Sequence, residues 1–327
     1  MQKITFAAGV LLALGIAGIY AWQSPAPESL ETGNTVVRVG LRDPQFTSQF
    51  MLYVGDKAGI FAKHNLAVKI ETLTSAVGVP ALLSDEIDFS FFGSEASAAI
   101  LKQDAPLRLV YAFSERTFNY LVSRPELEAA QIKTIGASNK TGVGFLMALE
   151  AMREFGISGE VVAAGSAPAA AGQMELGRVD AVVASIPQVY QLHEKGYRVQ
   201  GSINVASSQA FATTLEFIEN EPETVQGFVD SIREVVAYIQ EHPGETKALL
   251  LAFFDMGEGE AAQRAAEETY TMAVTYYSPT GIPTEAGLKR LIQFSKAPGF
   301  QTLAEIDSQT ALQEEMDKVF DYRFVQK

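Results

Sequence analysis

One short grammar occurs twice in this chain, and it sets what the chain can fold into. Ala81-Leu82-Leu83 closes a helix, Ser84 to Asp88 is a polar turn, and Ile87-Asp88-Phe89-Ser90-Phe91-Phe92 reads as a short strand. That strand is rich in aromatic residues and suits a buried sheet. Gly93-Ser94-Glu95 stops it, and a second helix is expected from Ala96. The second copy runs from Gln173 through Gly177-Arg178-Val179-Asp180 into Ala181-Val182-Val183-Ala184, stops at Ser185-Ile186-Pro187, and starts a helix near Gln188. A strand that feeds a helix leaves free backbone N–H groups at the helix start. In open α/β sheets, crevices at such strand ends are where ligands sit. Two copies of the unit predict two similar α/β lobes.

The elements around the first copy follow the same alternation. Val36 to Leu41 alternates as a strand and is ended by Arg42-Asp43-Pro44-Gln45. A helix carries Phe50, Leu52, Tyr53 and Val54. Lys57 to His64 is a helix end and loop, Leu66 to Ile70 is a second strand, and Ser75 opens the helix that ends near Leu83. The order β, α, β, α, β, α up to Leu101 implies a parallel sheet with right-handed crossovers. Further on, Lys133 to Ala137 is a strand and Val143 to Phe155 a helix with Phe145, Leu149 and Met152 on one face, closed by Gly156. Glu160 to Ala164 is the next strand. Val225, Phe228, Val229, Ile232, Val236 and Ile239 form the apolar stripe of a long helix after Pro222, a residue suited to a first helical position.

The N-terminus reads differently. Lys3 precedes an apolar run from Ile4 to Ala21, and Gln23 to Asn34 is a Pro/Ser/Glu/Gly linker. This is a signal peptide or a signal anchor, and export is expected. The run is near the ~18-residue length that spans a bilayer. Cutting after Ala21 leaves Ile19 at the −3 position, so retention as an inner-membrane anchor through residues 4–21 stays open. There is no cysteine, which closes lipoprotein anchoring, disulfides and cysteine–metal sites. The formal charge of −14, or −13 without residues 1–33, argues against nucleic-acid binding. The roughly 290 residues beyond the linker suffice for two lobes with separate cores.

Three pieces in order carry a resemblance: Asp56-Lys57-Ala58-Gly59-Ile60-Phe61-Ala62-Lys63-His64-Asn65-Leu66-Ala67-Val68, then Leu83-Ser84-Asp85-Glu86-Ile87-Asp88-Phe89, then Ala105-Pro106-Leu107-Arg108-Leu109-Val110. Gly177-Arg178-Val179-Asp180-Ala181 adds a fourth, and Glu216 to Phe228 a fifth. Together they resemble the type II periplasmic substrate-binding proteins of ABC transporters, in the family that binds nitrate, sulfonates, taurine and thiamine-precursor pyrimidines. Asn65 stands where that family usually has Gly, and both tolerate a left-handed turn. The resemblance implies an α/β, two-lobed periplasmic-binding-protein type II fold, each lobe a mostly parallel sheet flanked by helices. It also implies two crossings, placed near Glu115–Phe118 and Val205–Ser208. Lobe 1 then takes residues 34–117 and 207–327, and lobe 2 takes 118–206. The mostly helical tail from Glu245 is expected to pack on the sheet of lobe 1.

Ligand-binding candidates are the strand ends that face the implied cleft. Lobe 1 supplies Gln45, Phe46, Thr47 and Ser48, then Ser75, and Gly93, Ser94 and Glu95. Lobe 2 supplies Lys140, Thr141, Gly142 and Val143, then Ser185, Ile186, Pro187 and Tyr190. Several are helix starts, whose N–H groups and hydroxyls suit a sulfonate, carboxylate or nitrate. Each Ser or Thr also has the ordinary reading of an N-cap. In a first helical turn Glu95 complements the dipole by ~0.3–1 kcal/mol. Facing the cleft, it disfavours a bare anion and favours a ligand with an amine or ring N–H, opposite Lys140. Phe46 or Tyr190 suits ring stacking or core packing.

Chemistry beyond binding is sparse. His64, His193 and His242 lack metal-ligand spacing. Gly136 to Thr141 lacks the Gly before Lys of a phosphate loop, Gly142-Val143-Gly144 lacks a third Gly, and no Gly-x-Ser-x-Gly elbow is present. No catalytic residue, cofactor or metal is expected. The reading is a monomeric solute-binding subunit of an ABC importer, with a small-molecule ligand, a permease and its ATPase as partners. Two alternatives are a thiamine-pyrimidine-forming enzyme on the same fold, which lacks the Cys-rich iron segment of that branch, and a membrane-tethered ligand sensor.

Overall fold

In the computed structural model, residues 33–41, 46–138, 143–185, 188–297 and 302–326 are described. The apolar run at 4–21 and the linker lie outside them. The elements follow the expected alternation: β1 (Thr35–Leu41), α1 (Phe46–Lys57), α2 (Ile60–Lys63), β2 (Leu66–Thr72), α3 (Ser75–Leu83), β3 (Phe89–Ser90) and α4 (Gly93–Gln103). A long strand β4 (Leu107–Ser123) leads to β5 (Thr134–Ala137), α5 (Val143–Glu154), β6 (Glu160–Ala163), α6 (Ala167–Glu175), β7 (Ala181–Ala184) and α7 (Gln188–Glu194). A second long strand, β8 (Arg198–Thr214), returns to a helical tail: α8 (Leu215–Asn220), α9 (Pro222–Glu241), α10 (Pro243–Phe253), α11 (Glu260–Tyr276), α12 (Glu285–Lys296), α13 (Leu303–Asp307) and α14 (Gln313–Val319).

The strand order is β2-β1-β3-β8-β4-β7-β5-β6. β1 pairs in parallel with β2 and β3, and β5 pairs in parallel with β6 and β7. These two parallel groups are the sheets of the two lobes. Between them β4 and β8 run antiparallel, from Leu107 opposite Thr214 to Ser123 opposite Arg198. Both expected crossings are therefore continuous strand, and hydrogen bonding passes through all eight strands. The ribbon is irregular from before the expected crossing to beyond it, with register shifts between Leu109 and Tyr111, Ala112 and Ser114, Ser114 and Arg116, and Leu121 and Val122. Such shifts bend and twist a ribbon locally. Glu115 anchors this bend: its carboxylate accepts from the Thr284 N–H (2.8 Å), the Thr284 hydroxyl (2.6 Å) and the Ser208 hydroxyl (3.1 Å). Thr284 is in turn the N-cap of α12, accepting from the Gly287 N–H.

The repeated unit has one physical cause in both copies. The turn before each strand needs a left-handed residue, Asp85 at φ 58° and Gly177 at φ 69°. The aspartate that follows caps the neighbouring parallel strand. Asp88 accepts from the Arg38 backbone N–H (2.6 Å) and from its guanidinium (2.6 and 3.1 Å), while its own N–H donates to the Arg38 carbonyl. Asp180 accepts from the N–H groups of Lys133 (2.8 Å) and Thr134 (3.0 Å) and from Arg124 (2.7 Å), and its N–H donates to Thr134. Each carboxylate thus sets the register of a strand entering the sheet beside it and satisfies N–H groups that the ladder leaves over.

Phenylalanines fill the space between the first sheet and α9. Phe89 stacks on Phe228 at 4.0 Å and meets Phe217 edge-on, Phe228 meets Phe211, and Phe211, Phe113 and Phe91 continue toward the ribbon. The whole expected stripe of α9 is buried. Phe92 explains Gly78 in α3: a Cβ there would lie 2.1 Å from the Phe92 ring.

Four local expectations need correction. The strand expected over 87–92 is only Phe89–Ser90, because Asp88 is committed to capping and the next helix begins early. That helix starts at Gly93, so Gly93-Ser94-Glu95 is its first turn and not a break before it. Residues 57–64 contain the short helix α2. On α5 the buried face is Leu146, Met147, Glu150 and Ala151 as well as Phe145, with Leu149 and Met152 only partly covered, because the helix is packed on two sides. The second side belongs to the tail: Phe294, Ala297 and Ile306 join the cluster of Leu121, Ile135, Leu146, Met147 and Ile203. The tail therefore packs on both groups of strands. Among the described residues no helix is long and apolar enough to cross a membrane.

The Asp180 cap makes a testable contribution. Burial works to raise this carboxyl, but the N–H groups of Lys133 and Thr134, the Thr134 hydroxyl and the Arg124 charge outweigh it and hold it below its ordinary value of 3.8. The sign follows: a depressed carboxyl adds stability above its ordinary pKa and loses it as pH falls through the folded value. Asp180→Ala is expected to cost about 1–3 kcal/mol at neutral pH by stranding two N–H donors. In denaturant unfolding, the gap to wild type should narrow in acid, below about pH 4. A gap independent of pH would show that the carboxylate's charge contributes nothing.

Candidate functional site

The register places the candidate site. β8 is antiparallel to both β3 and β4, so β3 points along β4 toward its bulged middle. β7 is antiparallel to β4, with Ala184 opposite Tyr120 and Ala181 opposite Ser123, so its C-terminal end points back toward the same middle. The remaining strands of each group are parallel to these. The C-terminal ends of both parallel groups thus face each other across residues 111–120 of β4. Helices start directly beyond several of those ends: α4 after β3, α5 after β5 and α7 after β7. This is a topological switch with strand ends converging from two sides.

The expected site residues that are described lie at or near these ends. Gln45, Lys140, Thr141, Gly142, Ile186 and Pro187 lie outside the described residues. Phe46, Thr47 and Ser48 are in the first turn of α1, and Ser75 opens α3; their side chains are not described. Val143 is the first, half-buried residue of α5, and Ser185 follows β7.

Gly93, Ser94 and Glu95 form the first turn of α4. Gly93 is buried against β8, where a Cβ would lie 3.0 Å from the Ala210 carbonyl oxygen. A side chain here would press on the strand backbone, so glycine suits a helix start this close to β8. Ser94 donates through its hydroxyl to the Glu95 carboxylate (2.6 Å), and its carbonyl accepts from Ser295 of α12 (3.2 Å). Ser97 donates to the Gly93 carbonyl (2.7 Å). The turn is fixed on three sides, and Glu95 is half-buried at its outer edge.

Tyr190 lies in the first turn of α7 and is half-buried. Its hydroxyl donates to Glu268 of α11. Burial first, then that hydrogen bond and the Glu268 charge, push its phenol well above the ordinary value. Tyr120, opposite the last residue of β7, is raised by burial and then by the charges of Glu268 and Tyr276. Sequence reasoning named Tyr190 and did not name Tyr120, Tyr276 or Glu268. Two of these stand on α11, a helix with no motif, and only the tertiary fold brings them to β7.

Tyr120 and Leu121 point to opposite faces of β4. On the Leu121 face lies a separate cleft of about 320 Å³ lined by Glu150, Arg153, Val205, Ala206, Ala286, Arg290 and Gln293. Its charges satisfy one another: buried Glu150 meets Arg290 at 2.6 Å and Arg153 at 2.8 Å, and Arg290 also meets Asp307. This arrangement joins α5 to the tail and leaves no charge over for a ligand. His64 is committed to Glu234 (2.9 Å), and among the described residues no group of three or more His, Asp or Glu side chains gathers as a metal site.

Comparison with known proteins agrees with this geometry. Several solved structures share the fold. A Candida albicans gene product, described as defining a family with the generic periplasmic binding protein fold, superposes with a TM-score of 0.66 at 14% identity, covering 87% of this chain and 94% of that one. The alkanesulfonate-binding protein SsuA of Xanthomonas axonopodis pv. citri, bound to MOPS, gives 0.62 at 14% identity over 83% and 97%. The aliphatic sulphonate binding protein SsuA of Escherichia coli gives 0.56 at 15% over 80% and 85%. At these identities the likeness is one of fold. No curated protein matches the sequence significantly. The family model described as NMT1/THI5 like matches residues 46–246, from the start of α1 into α10. That match spans more than half of the chain and includes both copies of the aspartate-capped unit, so the protein belongs to the NMT1/THI5-like family.

Proposed function

We propose that this protein is a solute-binding component of an ABC importer. It captures a small organic molecule between two lobes and hands it to a membrane permease coupled to an ATPase. The observation that supports this most is the pair of opposed strand-end edges across the bulged β4–β8 ribbon, with helix starts on both edges. Family membership and the fold shared with sulfonate-binding proteins add to it. In this reading lobe 1 is residues 34–117 with 207–327, lobe 2 is 118–206, and the ribbon is the hinge. The site draws on residues 45–48, 75 and 93–95 of lobe 1 and 140–143, 185–187 and 190 of lobe 2. Function is binding without chemistry. The protein works outside the inner membrane, brought there by residues 1–21.

Closure is the first consequence. Small-angle scattering is expected to show a smaller radius of gyration when a solute that raises the melting temperature is added, because hinge closure compacts two lobes. An unchanged profile at saturation would remove the hinge.

The two edges supply opposite poles, Glu95 and Lys140. Glu95→Gln is expected to weaken a solute with N–H donors by about 1.5–3 kcal/mol in calorimetric titration. Its effect on folding should stay below about 1 kcal/mol, the worth of an acid at a helix start. Lys140→Ala should weaken solutes with an anionic end. Wild-type affinity in both variants would make Glu95 a dipole partner and Lys140 a surface charge.

Export has its own readout. Fractionation of cells is expected to place the protein beyond the inner membrane, and N-terminal sequencing will show whether residues 4–21 are kept. Full-length protein found soluble in the cytoplasm would overturn the localisation.

A further inference from the structure

We propose that Glu268, with Tyr190 on its carboxylate and Tyr120 and Tyr276 farther along the same face, forms a subsite that receives a protonated amine of the bound solute. The inference rests on the cleft reading above and adds the chemical class of one end of the ligand. Four elements bring the cluster together. Tyr120 stands on β4 opposite Ala184, the last residue of β7. Tyr190 stands in the first turn of α7, just past the same strand end. Tyr276 ends α11, and its neighbour Tyr277 is bridged to Ser114 in the bulged middle of the ribbon. Glu268 lies two turns earlier on α11 and accepts the Tyr190 hydroxyl. All three tyrosines are half-buried, while Glu268 is exposed and open to an incoming group.

The charge balance points to a cation. Glu267 is paired with Lys247, whereas among the described residues Glu268 meets no Lys or Arg and takes a phenol instead. Tyr190 and Tyr120 are both held neutral, so the cluster carries the single negative charge of Glu268. A carboxylate has room for about four hydrogen bonds. One phenol leaves most of that capacity open, and aromatic faces favour a cation over an anion. The carboxylate comes from α11, beyond the residues 46–246 that carry the family match.

Matched pairs of probes test this: taurine against ethanesulfonate, and β-alanine against propionate, each pair differing by one amine. Melting temperature and calorimetric affinity are measured on the full chain, on Glu268→Gln and on Tyr190→Phe. The amine-bearing member of a pair is expected to bind wild type more tightly. Glu268→Gln should cost that member about tenfold to a hundredfold and leave its partner unchanged. Tyr190→Phe should keep the amine preference, because the carboxylate remains. If Glu268 and Tyr190 only latch α7 to α11, both variants break the same bond and will shift all probes alike, which overturns the inference. Tighter binding of the amine-free members also overturns it, while leaving the solute-binding reading intact. A panel in which no probe stabilises wild type counts against the solute-binding reading itself and takes this inference with it.

Discussion

The antiparallel pairing of β4 with β8 is the constraint on which the rest of the structure depends. Each strand is seventeen residues long, and together they belong to both groups of parallel strands. A parallel group cannot end in a free edge beside another lobe without leaving unpaired N–H and C=O groups. The ribbon closes both inner edges at once, β3 against β8 and β7 against β4. Because β8 reverses the direction of β4, the two groups approach the bend with their C-terminal ends. The facing of the strand ends is therefore a consequence of strand polarity, and the helix starts beyond them follow from the crossovers of each group. Glu115 then holds the bend against the tail, with Thr284 and Ser208 filling its lone pairs.

Within each group a buried or half-buried aspartate does a second, local job. Asp88 and Asp180 sit at equivalent points: Asp88 accepts the Arg38 N–H in the middle of β1, Asp180 accepts the Lys133 and Thr134 N–H groups at the entry of β5, and each is paired with an arginine. A strand that slips by one residue turns its side chains to the opposite face. A charged acceptor aimed at particular N–H groups penalises that slip. The recurrence of Asp at the two places in the sequence thus reflects register control and not ligand chemistry, although both strands end at the cleft.

Much of this was legible in the sequence, and the limits are physical. Apolar runs and period-3.6 patterns located β1, β2, β5, α5 and the buried stripe of α9, although β1, β5 and α5 are covered on more than one side. The repeated turn and aspartate revealed two parallel groups. The continuity of β4 and β8 through the crossings did not show, since the crossings near 115–118 and 205–208 were placed from the family resemblance and no strand was read there. The start of α4 at Gly93 was hidden because its cause is the Ala210 backbone, more than a hundred residues away in the chain. The site divides the same way. The strand ends that offer Gly93, Ser94, Glu95, Ser185 and Tyr190 could be read locally, whereas Glu268 and Tyr276 reach β7 only through the packing of α11 on α10 and the ribbon.

The tail gives the two faces of the ribbon unequal ties between the groups of strands. On one face Glu150 of α5 meets Arg290 of α12, with side chains 5% and 14% exposed, beside the shared apolar cluster of Phe294, Leu146 and Ile203. Removing one partner of such a buried pair is costly, and here the pair is embedded in a network, with Arg153 on Glu150 and Asp307 on Arg290. On the opposite face the tie is the bond from Tyr190 to Glu268, whose carboxylate is already in water. Breaking it exchanges one hydrogen bond for others with solvent, a net change of only about 0.5–3 kcal/mol. A bend in the ribbon therefore has a stiff side and a soft side. Opening of the proposed lobes is easiest about the α5–α12 contact, parting first at α7 and α11, where the candidate amine subsite stands.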